Sequence, residues 1–191
     1  LHQLPRRQRQ MCIRDSLKGK HVGVIGTGAS AAQVITTIAD DVAELTVFQR
    51  TPTWAMPRDD EPTPPEITDA FKAGGYSEKL RHVDWKGELP PDPDVLFTFA
   101  MLHDEKQNAA ICEGIAKRIR KEVEDPELAA LLTPDYPFFC KRVLFIDDYY
   151  STFNKAHVSL VNDPGGVVAV NANGVTLASG AQPVSYTHLT L

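Results

Sequence analysis

Apolar and polar positions along this chain alternate between two periods. His21 to Ile25 (HVGVI) is a short apolar run that ends in Gly26-Thr27-Gly28, the pattern of a buried strand closed by a turn. From about Ser30 to Ala39 the spacing turns helical, with Ala31, Val34, Ile35 and Ile38 on one face. A second β-type run, Leu45-Thr46-Val47-Phe48, closes at Gln49-Arg50-Thr51-Pro52. Together these segments predict one β-turn-α-β unit.

Beyond it, Pro57 to Pro93 is rich in proline and acid (PRDDEPTPP, LPPDPD) and predicts an irregular excursion. Glu105 to Glu124 predicts a helix, because Ile111, Ile115, Ile119 and Val123 recur four apart with charges between them. Asp125-Pro126 stops or restarts it, and Glu127 to Leu132 adds a short helix. Lys141 to Ile146 reads as extended, followed by Asp147-Asp148-Tyr149-Tyr150. The remainder, to about Ala181, is β-like: VSLV, GVVAV and GVTLA, separated by Gly and Asn turns. No internal repeat is visible.

The two ends follow neither period. LHQLPRRQRQMCIRDS carries Arg6, Arg7, Arg9 and Arg14 against a single acid, Asp15. A basic arm for nucleic acid or lipid is one reading, and a disordered tail is the preferred one. MCIRDS at the front and PVSYTHLTL at the back also resemble translated adapter or vector joins. Residues 1–16 and 183–191 are therefore expected to be disordered or non-native.

Composition narrows the class. Apolar residues make up 42% and charged residues 24% of the 191, the mix of a soluble globular domain with a core of its own. A formal charge of −5 argues against a surface that coats nucleic acid. Cys12, Cys112 and Cys140 form no C-x-x-C pair, so neither a disulfide framework nor a metal site is expected. No run approaches the roughly 18 apolar residues that span a bilayer. A cytoplasmic protein without nucleic-acid or membrane partners is the expectation.

The glycine turn carries the chemistry. Gly26-x-Gly28-x-x-Ala31 lies after a strand and opens a helix, which is the context of a dinucleotide fingerprint. The first glycine permits a tight turn, the second admits a pyrophosphate close to the backbone, and a small third residue lets helix and strand pack. Helix N-terminal amides then hold the phosphates. The fold class this implies is α/β, a Rossmann-like dinucleotide-binding domain with a helical insertion. Its parts are residues 17–57 and 134–182, with the insertion over 58–133. The end of the second strand selects the cofactor. An NAD site usually places an acid there for the ribose hydroxyls. Here the position reads Gln49-Arg50-Thr51, and a guanidinium with a hydroxyl suits a 2′-phosphate. NADP(H) is expected over NAD(H).

Two ordered blocks, GKHVGVIGTGASAAQVI…LTVFQRTPTWAMPR and DYPFFCKRVLFIDDYYSTFN, resemble the Baeyer–Villiger class of flavin monooxygenases over roughly residues 17 to 180. The resemblance implies that this region is the NADPH-binding domain of such an enzyme, with FAD in the complete protein and a ketone and dioxygen as its partners. Gly26, Thr27, Gly28, Ala29 and Ser30 match the family's phosphate loop. Arg50 and Thr51 match the pair that grips the 2′-phosphate, and Lys141 a second phosphate-binding cation. Arg142 matches the catalytic arginine that reaches the flavin and stabilises negative charge there. Phe139 stands where the family usually has glycine, and Val143 replaces a common proline. The family's first glycine fingerprint, its F-x-G-x-x-x-H-x-x-x-W signature and its last FAD-contacting strand do not occur in this sequence. The expectation is a chain truncated at both ends and inactive alone.

Other features read more plainly. Asp147-Asp148 suits a cap or turn better than acid/base work, because adjacent acids on a strand diverge. Tyr149 and Tyr150 suit aromatic packing. His82 and His103 have no ligand-like neighbours in the sequence, and Trp54 suits either the core or the cofactor's edge. Two further functional readings stay open: an N- or S-oxygenating flavin monooxygenase or other flavoprotein reductase, and a catalytically inactive nucleotide-binding fragment.

Overall fold

The computed structural model describes residues 16–58, 62–73, 104–171, 174–182 and 188–190. The arginines of the N-terminal arm, Cys12, His82 and His103 lie outside them.

The two apolar runs become neighbouring strands. β1 (His21–Ile25) pairs in parallel with β2 (Glu44–Gln49), Val22 opposite Leu45 and Val24 opposite Val47. Every residue of β2 from Leu45 to Gln49 is buried, as expected of a parallel strand covered on both faces. Between them runs α1 (Ala29–Ile38), which turns Ala32 and Ile35 into the core. β5 (Val158–Asn162) extends the sheet beyond β2, and β8 (His188–Thr190) beyond β1, giving the all-parallel order β5-β2-β1-β8. The chain is thus an α/β protein. Residues 188–190 fall in the segment expected to be disordered or non-native; they are ordered enough to pair with Val22 to Val24. The physical reason is the open edge of β1, whose backbone groups accept any short extended segment.

The helical segments join this same core. α2 (Pro65–Ala73) opens on a proline, the residue whose missing N–H costs nothing at a first helical position. It falls in part of the stretch expected to be irregular. α3 (Glu105–Glu122) is capped by Asp104, whose carboxylate accepts from Gln107 N at 2.9 Å. The Asp125-Pro126 signal proves a restart: the chain leaves α3 and begins α4 (Pro126–Leu132) under an Asp125 cap on Glu127 N. Ile115 and Ile119 of α3 and Leu132 of α4 sit in one cluster with Val22, Ile35 and Leu45. Ile35 and Ile119 are fully buried, and burying each contributes about 2 kcal/mol.

The expected extended stretch Lys141 to Ile146 is mostly irregular. Only Leu144–Phe145 (β4) forms a strand, pairing with β3 (Ala55–Met56). The reason lies just upstream: the backbone turns at Phe138–Phe139, and Phe139 takes a left-handed conformation, φ 71°. After a 3₁₀ turn at Ser151–Asn154 and β5, an antiparallel hairpin of β6 (Val167–Asn171) and β7 (Gly174–Leu177) packs Val175 and Leu177 against Phe48. No helix among the described residues is long and apolar enough to cross a membrane.

Candidate functional site

The carboxyl ends of β1 and β2 open into a cleft of about 450 Å³. Its floor is the glycine turn. Gly26 has φ +103°, a conformation open to glycine but not to side chains. A Cβ built on either Gly26 or Gly28 would meet nothing within 4 Å, so the space above the turn is free for a ligand. Gly26 N donates to Phe48 O (2.8 Å), and the Thr27 hydroxyl donates to Thr51 O (2.8 Å). These bonds pin the turn to the end of β2.

α1 begins at Gly28 with no side-chain cap and no acid in its first turn. Its leading N–H groups are left for an anion. Across the cleft stand Thr51, Arg50 and Lys141. Both cations are exposed, and neither has a salt-bridge partner among the described residues. Arg50 lies against the hairpin entrance, where a Cβ on Gly166 would come 3.4 Å from its Cδ. Lys141 holds its ammonium 4.4 Å from the centre of the Tyr136 ring. Tyr136 is fixed at both ends: its hydroxyl donates to Pro52 O (2.9 Å), and its carbonyl accepts from the Trp54 indole (3.0 Å).

One acid lines the same cleft. Asp163 accepts from Gly165 N (2.8 Å) and Ser179 N (3.1 Å). Hydrogen bonds from the Ser179 side chain and then from these amides hold its carboxyl below the usual aspartate range. Its charge is thus shared among donors behind the cleft wall. Asp163, Gly165 and Gly166 were not singled out in the sequence; Asp-Pro-Gly-Gly signalled only a turn. Asp163 N donates to Gln49 O (2.9 Å), which brings that turn beside Arg50.

Gln49 is expected among the cofactor-binding residues. It borders the cleft, but its side-chain nitrogen is committed to Leu131 O (2.7 Å) and Asn162 Oδ1 (3.0 Å). It ties α4 and β5 to β2. Ser30 and Ala31 stand next to Ala29 at the start of α1, and Ala31 packs against the core, which is the part a small residue plays at that helix start.

Arg142 turns away from Lys141 into a neighbouring cleft of about 390 Å³, shared with Ala29, Gln33, Phe139 and Phe145. The two clefts meet at consecutive residues, Gly28 with Ala29 and Lys141 with Arg142. A third and larger groove, about 840 Å³, runs between α3 and residues 133–140. It has no glycine turn, and the helix start it borders, at Glu105, is already capped by the Asp104 carboxylate and carries an acid in its first turn, so it lacks the features that hold phosphates. Trp54 and Phe139 line it.

The remaining candidates are structural. Trp54 is buried, 2% exposed. Tyr150 receives Ala55 N and donates to Thr53 O, both at 3.0 Å, and burial pushes its hydroxyl up to about 12, so it stays protonated for that donation. Asp147 accepts from Arg58 N (2.9 Å), and Asp148 sits at φ 59° with its carbonyl accepting from Thr152. Both serve turns.

Similar proteins share this architecture. A Baeyer–Villiger monooxygenase of Pseudomonas aeruginosa is 38% identical over 170 residues, 87% of this chain and 30% of its own length. Pentalenolactone D synthase of Streptomyces arenae is 34% identical over 88% of this chain and 33% of its own. Among solved structures, OTEMO in complex with FAD and NADP superposes with a TM-score of 0.72 at 29% identity, over 91% of this chain and 38% of that one. An open structure of cyclohexanone monooxygenase gives 0.68 at 28% identity, over 92% and 40%. No family model matches. The chain spans about a third of the length of the curated relatives it matches.

Proposed function

The chain is a relative of the Baeyer–Villiger monooxygenases over about a third of their length, and on that premise we propose that it is the NADPH-binding part of a flavin-dependent enzyme that oxidises ketones to esters or lactones. The observation that carries the proposal is one convergence: an uncapped helix start, Arg50 and Lys141 on one cleft, with Arg142 on the cleft that adjoins it.

The residues fit the cofactor. In this reading the parallel sheet and its glycine turn are a Rossmann-like half, with the helical segments inserted into it. The first amides of α1 hold the pyrophosphate. Arg50, with Thr51 beside it, and Lys141 hold the 2′-phosphate, two cations set against a dianion. An acid at the Arg50 position would repel that phosphate and favour NADH. Gly166 leaves room for the stem of Arg50 to lie flat along the cleft wall.

When bound, NADPH supplies a hydride and FAD activates dioxygen. Arg142 presents a cation to the second cleft, whose other walls include Val143, Leu144, Phe145 and Ile146. Charge preorganised beside apolar surface stabilises developing negative charge more than water does, because it needs no reorganisation. The two roles separate cleanly, Lys141 binding on one side and Arg142 acting on the other.

The test uses a protein that carries this segment within its full-length context, supplied with a cyclic ketone, NADPH and dioxygen. Ester or lactone formation is expected. Arg142→Ala is expected to keep NADPH oxidation and lose the ester. Normal ester yield in that variant removes Arg142 from the chemistry, and N- or S-oxide formation without any ester replaces the ketone reading.

A further inference from the structure

We infer that the Phe139 ring is a wall of the Arg142 cleft and stacks on the nicotinamide of bound NADP(H), an inference that rests on the dinucleotide reading above. The starting point is backbone geometry. Among the described residues only Phe139 and Asp148 combine a side chain with positive φ. Aspartate tolerates that region through local hydrogen bonds, whereas a bulky aromatic there is an outlier. Strain of this kind persists where the surrounding structure uses the displaced group.

Burial does not account for it. Phe139 is 52% exposed, and its ring-to-ring contact is an edge-on approach to Phe138 at 5.3 Å. What the left-handed turn achieves is placement. It sets the ring between the α3 groove and the Arg142 cleft, so that Phe139 borders both.

The path of a dinucleotide leads to that ring. With the 2′-phosphate between Arg50 and Lys141 and the pyrophosphate at the start of α1, the other end of the molecule passes Gly28 and Ala29. Consecutive Cα atoms are about 3.8 Å apart, so this step leads directly into the adjoining cleft. There the planar nicotinamide meets Arg142 and an aromatic face. The oxidised ring is cationic, and an aromatic face attracts a planar cation while offsetting its repulsion by the nearby guanidinium. Phe145 borders the same cleft and is 62% exposed, but it stands on β4 in ordinary strand geometry.

The test is a pair of calorimetric titrations of the full chain, with NADP⁺ and with adenosine 2′,5′-bisphosphate, which keeps the 2′-phosphate and lacks the nicotinamide. Phe139→Ala and Phe139→Gly are each expected to weaken NADP⁺ about fivefold, the scale of a partly exposed cation–π contact, and to leave the bisphosphate unchanged. Phe139→Tyr is expected to restore NADP⁺ binding. Unchanged NADP⁺ affinity in the glycine variant, equal loss for both ligands, or loss in Phe145→Ala alone overturns the assignment. A wild-type chain that binds neither ligand removes the dinucleotide reading and this inference with it.

Discussion

Lys141 rests its ammonium 4.4 Å from the centre of the Tyr136 ring, and Tyr136 in turn donates its hydroxyl to the carbonyl of Pro52. One aromatic side chain therefore couples the cation of the second sequence block to the segment that follows Arg50. The two cations that face the proposed 2′-phosphate are separated by about ninety residues of chain, and this contact ties one of them to the segment just after the other.

Removing that support should be felt at the phosphate. Tyr136→Leu takes away both the ring beneath Lys141 and the bond to Pro52, and NADPH affinity is expected to fall about tenfold while NADH affinity stays within about twofold. Titration of both cofactors checks this. Equal losses for the two would mean that Tyr136 supports only the fold.

Asn108 should matter to stability without touching the site. Its amide donates to Phe138 O (3.0 Å) and accepts from Phe138 N (2.9 Å), satisfying a buried backbone unit from α3. Asn108→Leu leaves both groups unpaired and is expected to cost about 3 kcal/mol. Denaturant melts measure it, and a loss below about 1 kcal/mol would show that the Phe138 backbone finds other partners.

Asp163 makes the acid limb of stability predictable. Its folded carboxyl lies below the ordinary value of 3.8 because Ser179 and the Gly165 amide donate to it. A depressed acid contributes stability that is fully present above 3.8 and is lost as the pH falls through its folded value. Asp163→Asn has no such titration, so its melting temperature is expected to drop less than that of the wild type between about pH 6 and about pH 3. Parallel drops would place the acid sensitivity elsewhere.

How far the sequence foretold this arrangement follows from the range of each interaction. The β1-turn-α1-β2 unit was legible because its periods and its glycines are local, and Arg50 lay in the same window. Lys141 and Arg142 were legible only through the resemblance of the second block, since charge patterning alone reads as a solvated strand edge. The Asp163 to Gly166 wall was missed. Its place beside Arg50 depends on β5 pairing with β2 across more than a hundred residues, and no local period encodes that pairing. Gln49 borders the cleft, and its amide nitrogen is held by a nonlocal partner, Leu131 of α4, that no local pattern encodes. Phe139 stood out as a departure from a usual glycine, and the left-handed backbone at that position gives the departure a physical cost.

The most direct test of the central claim is a titration of the wild-type chain and Arg50→Ala with NADPH and with NADH. The account predicts that the wild type prefers NADPH and that the variant loses on the order of tenfold or more for NADPH, the worth of a charge-assisted phosphate contact, with NADH hardly changed. No preference in the wild type, or equal losses for both cofactors in the variant, would contradict it.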